Sequence, residues 1–334
     1  MIKVLVLLMS AFIAPVSSQR SVARPALTLD PYVKADGAIT VFANGSYVEP
    51  YFAMRALNTA ADLGADVDSL ARGYIAWQLQ RLDADSAFKR YCLADDSTWM
   101  SCGAPDADDA AVALWIELLY RTAGKRRMPA EWKRSADQSR HALARLLDSS
   151  AKVYRVSASV PVALFMDNVE VLSALETSAA TGAAAVAGDH RPLSRGASRL
   201  RSAIKRQFWD VTNRRYRVSS QEGDAQERFY PEIAAQVFPA VFGFGNPVQS
   251  PQTLAGQWLR DHERDWIAES DSGAAWGLIA VAAARTGHRD AVRRWLERAD
   301  RVKAGAHWNV ADEAIYRTVS ARALSEANGD QRIR

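Results

Sequence analysis

The chain holds only two cysteines, Cys92 and Cys102, in 334 residues. That sparse usage argues against a cysteine-based metal framework, and in an exported protein such a pair reads as a disulfide closing a short loop. Histidine is scarce too. The five, at 141, 190, 262, 288 and 307, are never paired at helical or finger spacing, so a histidine metal site is not expected. There is no glycine-rich phosphate loop and no G-x-S-x-G elbow. No apolar run is long enough to span a bilayer. Proline, glycine and serine never gather into a linker. The formal net charge of +4 is small for this length and gives no reason to expect nucleic acid. Two local basic clusters, Lys125-Arg126-Arg127 and the group Arg195, Arg199, Arg201, Lys205 and Arg206, read as solvated helix faces. Their functional alternative is attraction of an acidic polymer.

What is present begins with a leader pattern. Lys3 precedes an apolar run from Val4 to Ala14, followed by Pro15-Val16-Ser17-Ser18. This predicts a secretion signal over 1–18, with a periplasmic or extracellular mature chain and no membrane span after cleavage. Residues 19–334 are then expected to form one domain. That is more than the roughly 250–300 residues at which single cores stop growing, so a repeated unit is implied.

Helical periodicity supplies that unit. One set of segments carries a one-sided apolar stripe: Val67, Leu70, Tyr74 and Ile75; Trp132, Ala136 and Leu143; Leu200, Ile204 and Phe208; Val292, Trp295 and Ala299. A second set is apolar nearly all round, over 110–119, 169–175, 233–238 and 274–284. A helix without a polar face is buried on every side. The two sets alternate, with inner helices expected to start near 47, 106, 166, 231, 272 and 311 and outer ones near 67, 129, 192, 250 and 289. Six inner helices face five outer ones, so the sixth outer helix is missing unless the N-terminal segment takes its place. Short strands are expected at 38–42 and 152–156.

An acid recurs at each expected inner-helix start: Glu49, the cluster Asp106, Asp108 and Asp109, then Asp167, Glu232, Asp271, and finally Asp312 with Glu313. Any one of them is explained by the helix dipole or by capping. Together, at one end of a ring and with aromatic residues nearby, they suit the handling of sugars. Glu49 lies between Tyr47 and Tyr51, where desolvation would raise its proton affinity. Asp106 and Asp109 share a helix face, while Asp108 points elsewhere. Asp167 stands beside Asn168, and Glu232 follows Tyr230 and Pro231. Trp99, Trp276 and Trp308 are candidates for stacking on pyranose faces, although tryptophan in a helical protein is more often core.

The alternation of inner and outer helices resembles the (α/α)6 toroid of six-hairpin glycosidases, with the last hairpin incomplete unless the N-terminal segment completes it. Two stretches resemble glycoside hydrolase family 8: Glu49-Pro50-Tyr51-Phe52-Ala53-Met54, where that family has its catalytic acid, and Asp106-Ala107-Asp108-Asp109 running into Leu114-Trp115-Ile116. Val48 and Pro50 flank Glu49 where the family has Ser and Gly. The resemblance implies an all-α toroid that hydrolyses a bacterial polysaccharide by inversion, without cofactor or metal. Glu49 would be the acid, with Asp106, Asp109 or Asp167 activating water. Tyr47, Tyr51, Trp99, Asp108, Asn168, Tyr230, Glu232 and Trp308 would bind the glycan. The alternatives are a polysaccharide lyase on the same fold and a non-catalytic glycan-binding protein of exopolysaccharide assembly or export. The sequence leaves the oligomeric state open.

Overall fold

The computed structural model describes residues 24–83, 87–95, 97–105, 107–184, 191–221, 227–269 and 275–331. The expected leader, Asp106 and Asp271 lie outside the described residues. Eleven helices are described: α1 (Pro50–Asp62), α2 (Asp68–Leu79), α3 (Asp108–Ala123), α4 (Ala130–Leu146), α5 (Phe165–Ala184), α6 (Arg191–Phe208), α7 (Ala234–Val241), α8 (Pro251–Glu269), α9 (Gly277–Arg285), α10 (Arg289–Val302) and α11 (Val310–Gln331). A short π-helical stretch, Phe229–Ile233, leads into α7.

The odd-numbered helices form the inner layer. Each packs on the next, α1 on α3, α3 on α5, α5 on α7, α7 on α9 and α9 on α11, and α11 returns to α1. This cyclic order closes a ring of six, an all-α toroid. The even-numbered helices pack outside it, with α4 on α3, α6 on α5, α8 on α7 and α10 on α9. Burial follows the two layers. Every residue of α3 from Asp109 to Leu119 is buried, whereas α4 buries one face through Trp132, Ala136, Ala142, Leu143 and Leu146. Burying a large apolar side chain fully is worth about 1.5–3 kcal/mol. The apolar circumference of the inner helices is therefore what forces them inside.

Helix starts fall within a few residues of the sequence reading, and local chemistry explains several. Pro50 occupies the first turn of α1, where its missing N–H is not needed. Gly124 ends α3 with φ +58°. No outer helix is described after α11. Residues 24–46 cover it instead: the Val310 N–H donates to the Val41 carbonyl at 2.9 Å, and Arg317 donates to the Thr28 hydroxyl at 3.0 Å. Leu29, Tyr32 and Ile39 are buried in that layer.

The strands differ from expectation. Segments 38–42 and 152–156 make only the isolated bridges Val33–Ile39 and Leu147–Tyr154. A three-stranded antiparallel sheet joins β1 (Tyr47–Val48), β2 (Arg90–Leu93) and β3 (Trp99–Gly103), and β4 (Trp209–Asp210) pairs with β5 (Arg215–Tyr216). The Cys92–Cys102 disulfide crosslinks the β2–β3 hairpin. A bond of this kind persists in oxidising compartments.

Candidate active site

The N-termini of all six inner helices meet at one end of the ring, and a cavity of about 460 Å³ opens there. Each inner helix contributes to it: α1 through Tyr51, Phe52 and Arg55, α3 through the preceding Ala107, α5 through Met166, Asp167 and Glu170. The far wall has Tyr230 and Phe238 from the α7 region, Trp276 and Leu278 from α9, and His307, Asn309 and Asp312 from α11. In the ring order, α5 stands opposite α11. Asp167 and Asp312 therefore face the cavity from opposite sides.

Behind Asp167 lies Asp109, fully buried, its Oδ1 accepting the Ala110 N–H at 2.9 Å. Its Oδ2 has no hydrogen-bond partner among the described residues. Burial first, and then the charge of Asp167, push the Asp109 carboxyl well above the usual carboxylate range. Asp109 therefore favours its protonated form beside Asp167. Beside them, Arg55 and Glu170 form a buried ion pair at 2.7 Å, and Tyr51 donates its hydroxyl to Glu170 at 2.8 Å. Burial raises Glu170, while Arg55 and Tyr51 oppose the rise. Burial and the neighbouring Glu170 hold the Tyr51 proton tightly.

On the opposite side, Asp312 accepts the Gly277 N–H at 2.9 Å and the Asn309 amide at 2.6 Å. Burial nevertheless raises its carboxyl to about 6. The contact requires a glycine, because a Cβ at position 277 would stand 2.8 Å from the Asp312 Oδ1. Just before it, Trp276 adopts a left-handed conformation (φ 50°, ψ 45°), which is unusual for a bulky residue and concentrates at functional sites. The Trp276 ring lies 4.9 Å from that of Tyr230, which is half exposed. Its indole N–H is buried without a hydrogen-bond partner among the described residues. The pair forms an aromatic wall at the mouth of the cavity.

The structure brings Tyr51, Asp167 and Tyr230 into the cavity and places Asp109 directly behind it. It puts other candidates elsewhere. Asn168 is fully buried and spends its amide on the Tyr154 and Leu164 backbone, with bonds of 2.7, 2.8 and 2.9 Å, so it clamps a loop and does not reach a ligand. Trp308 is 3% exposed and donates to Glu313 at 2.7 Å, which makes it a core tryptophan. Trp99 donates to Asp36 at 2.8 Å and packs on Trp77, on the β-hairpin side. Glu49, Tyr47, Asp108 and Glu232 are not among the residues lining the cavity. Glu49 is 2% exposed and ion-paired with Arg90 of β2, while Glu232 turns toward Arg228. Two charged cavity residues escaped the sequence reading, Arg55 and Glu170. Each is a lone charge inside an apolar inner helix, Met54-Arg55-Ala56-Leu57 and Val169-Glu170-Val171, and that interruption was the available signal.

No protein-family model matches the chain, and no curated protein matches it. Solved structures do. A glycosidase determined as a point variant and as the wild type superposes with TM-scores of 0.54 and 0.52, each at 11% identity, covering 87% of this chain and 92% of that one. The chain shares the fold of these structures. A β-1,3-1,4-glucanase from Paenibacillus sp. X4 gives a TM-score of 0.48 at 13% identity, with 87% of both chains covered. In a glycosidase fold of this kind, chemistry has to be argued from the site itself.

Proposed function

We propose that the protein hydrolyses glycosidic bonds in a polysaccharide bound across the mouth of the ring. The observation that carries this reading is the cavity with Asp167 and Asp312 on opposite walls and the Tyr230–Trp276 aromatic wall beside them. Glycoside hydrolysis needs two carboxyl groups flanking the scissile bond, one to protonate the leaving oxygen and one to activate water or attack. Asp312, raised to about 6, carries a proton for part of the time near neutral pH and takes the role of acid. Asp167, whose neighbour Asp109 retains the proton of their pair, takes the role of base. The rings offer an apolar face to a pyranose. Inversion, polysaccharide as substrate and action outside the cytoplasm are the parts of this proposal that come from the resemblance to family 8 and from the leader pattern.

The cavity favours hydrolysis over lyase action. A lyase needs a base that gives up its proton readily; Tyr51 holds its proton more tightly than usual, which leaves Tyr230 and His307 for that role. It also needs cations for an acidic substrate, yet the Arg55 cation is already committed to Glu170.

The test is a product assay on a panel of neutral and acidic bacterial glycans. New reducing ends formed without an unsaturated uronate, and lost in both Asp167→Asn and Asp312→Asn, support hydrolysis. Absorbance of an unsaturated uronate means lyase action, and binding without products means a glycan-binding protein; either result overturns the proposal. Proton NMR of the first-formed anomer then decides between inversion and retention.

A further inference from the structure

A second site lies on the outside of the ring, where α6 meets the loop after α7. Between residues 191 and 208 α6 carries Arg191, Arg195, Arg199, Arg201, Lys205 and Arg206 and no acid. Its apolar stripe, Leu193, Ala197, Leu200, Ile204 and Phe208, is buried against α5 and the rest of the core. The cations stand on the solvent side, and only Arg201 has an ion pair among the described residues, at 2.5 Å to Glu176. Such a one-sign strip raises the local concentration of anions. Residues four apart on a helix rise about 6 Å, so Arg191, Arg195 and Arg199 form a ladder with a step close to the length of one sugar residue.

A cleft of about 190 Å³ opens on the other flank of the same basic face. Arg201 and Lys205 edge it, Asn246 faces them, and Tyr216, Phe244 and Pro247 supply an apolar floor. The Arg201 guanidinium lies 4.4 Å from the Phe244 ring centroid, which fixes its direction over that floor. Lys205, an Arg201 shared with Glu176, and a ring in a pocket of sugar size suit a carboxylated pyranose. A membrane is a poorer fit, because α6 has no apolar face left to insert. Nucleic acid is a poorer fit as well, since the ladder offers no exposed rings for base stacking.

We infer that this face binds an anionic polysaccharide strand, laying its chain across the basic face of α6 and seating one acidic residue in the cleft. The site is separate from the cavity and works whether or not the cavity cleaves. Binding is therefore measured without turnover, by titration calorimetry and affinity electrophoresis of the full chain. Polygalacturonate is the probe, with dextran, phosphatidylglycerol vesicles and single-stranded DNA as controls. Wild type should bind polygalacturonate, lose at least tenfold in affinity between 50 and 200 mM salt, and ignore dextran. Arg195→Glu/Arg199→Glu/Lys205→Glu should lose at least tenfold at low salt with an unchanged circular dichroism spectrum. Phe244→Ala should weaken a trigalacturonate oligomer several-fold and leave the salt dependence as it is, which a purely diffuse attraction would not predict. Asp167→Asn should bind as wild type does. Equal binding by the triple variant, or vesicles or DNA bound as tightly as polygalacturonate, overturns the inference.

Discussion

The two ends of the ring treat charge in opposite ways. At the end where the inner helices finish, Asp62 of α1 is held by Arg121 of α3 at 2.7 Å and by Arg285 of α9, and Arg121 also reaches Glu117 at 2.7 Å. Acids and bases alternate there and neutralise one another. At the end where the helices begin, Asp109, Asp167, Glu170 and Asp312 converge, and the Arg55 cation is spent on Glu170. Helix dipoles account for acids at N-termini and arginines at C-termini. They do not account for crowding like charges in a buried place, which destabilises the fold. The far end is arranged for stability; the mouth gives up stability for proton affinity, as sites of acid–base chemistry do.

The largest effect that sharpens this contrast is on turnover. Asp167→Asn should lower it by about 10²–10⁴-fold, the usual worth of general acid–base catalysis, with the melting temperature changing little because Asp109 beside it already holds a proton. Glu49→Gln is the companion measurement. Glu49 stands outside the cavity lining and is paired with Arg90, so turnover should change far less. A loss as deep as that of Asp167→Asn would return the role of acid to Glu49 and break the assignment made from the cavity.

Next in size is a pH effect on stability. Asp109 and Asp312 are both raised by burial, so the folded protein binds more protons than the unfolded chain. Stability from these groups is complete below pH ~4 and declines as pH rises. For Asp312 the decline runs from its ordinary value of 3.8 to about 6, on the order of 3 kcal/mol. Denaturant unfolding between pH 4 and pH 8 reads it directly. Asp109→Asn should flatten the curve and be more stable than wild type at pH 8. If the variant is less stable at every pH, Asp109 is held by contacts stronger than the repulsion described here.

Smaller still is the aromatic wall. Trp276→Ala should raise KM roughly tenfold, about 1.4 kcal/mol, while kcat on a short soluble substrate stays within a few-fold. A loss confined to kcat would mean that Trp276 shapes the acid–base pair and does not hold the sugar.

Much of this architecture was legible in the sequence because it rests on periodicity. The inner helices are apolar all round, and Ala110 to Leu119 could lie nowhere but inside. The same logic put acids at helix starts and one mouth for all of them. It failed where a residue's partner comes from a distant segment. Nothing near Asn168 announces that Tyr154 will claim its amide, and nothing near Trp308 shows that its indole turns inward. Arg90 reaches Glu49 only because β2 folds back onto β1, a strand of two residues with no pattern of its own. The Arg55–Glu170 pair was half visible, as charges interrupting apolar runs, but the pairing across 115 positions needs the ring.

The smallest effect tests the other side of the comparison. Asp62 is partly exposed, as are Arg121 and Arg285, with side-chain exposures of 31%, 18% and 26%. Solvent screens such pairs, and exposed ion pairs contribute about 0.2–1 kcal/mol. Asp62→Ala should thus lower stability by roughly 1 kcal/mol, less at high salt. Turnover should be unchanged, because the cavity lies at the opposite end of every inner helix. A loss of activity without a loss of stability would show that the two ends are coupled through the helices between them. The separation of a stabilising end from a working end would then be wrong, even though each end had been described correctly by itself.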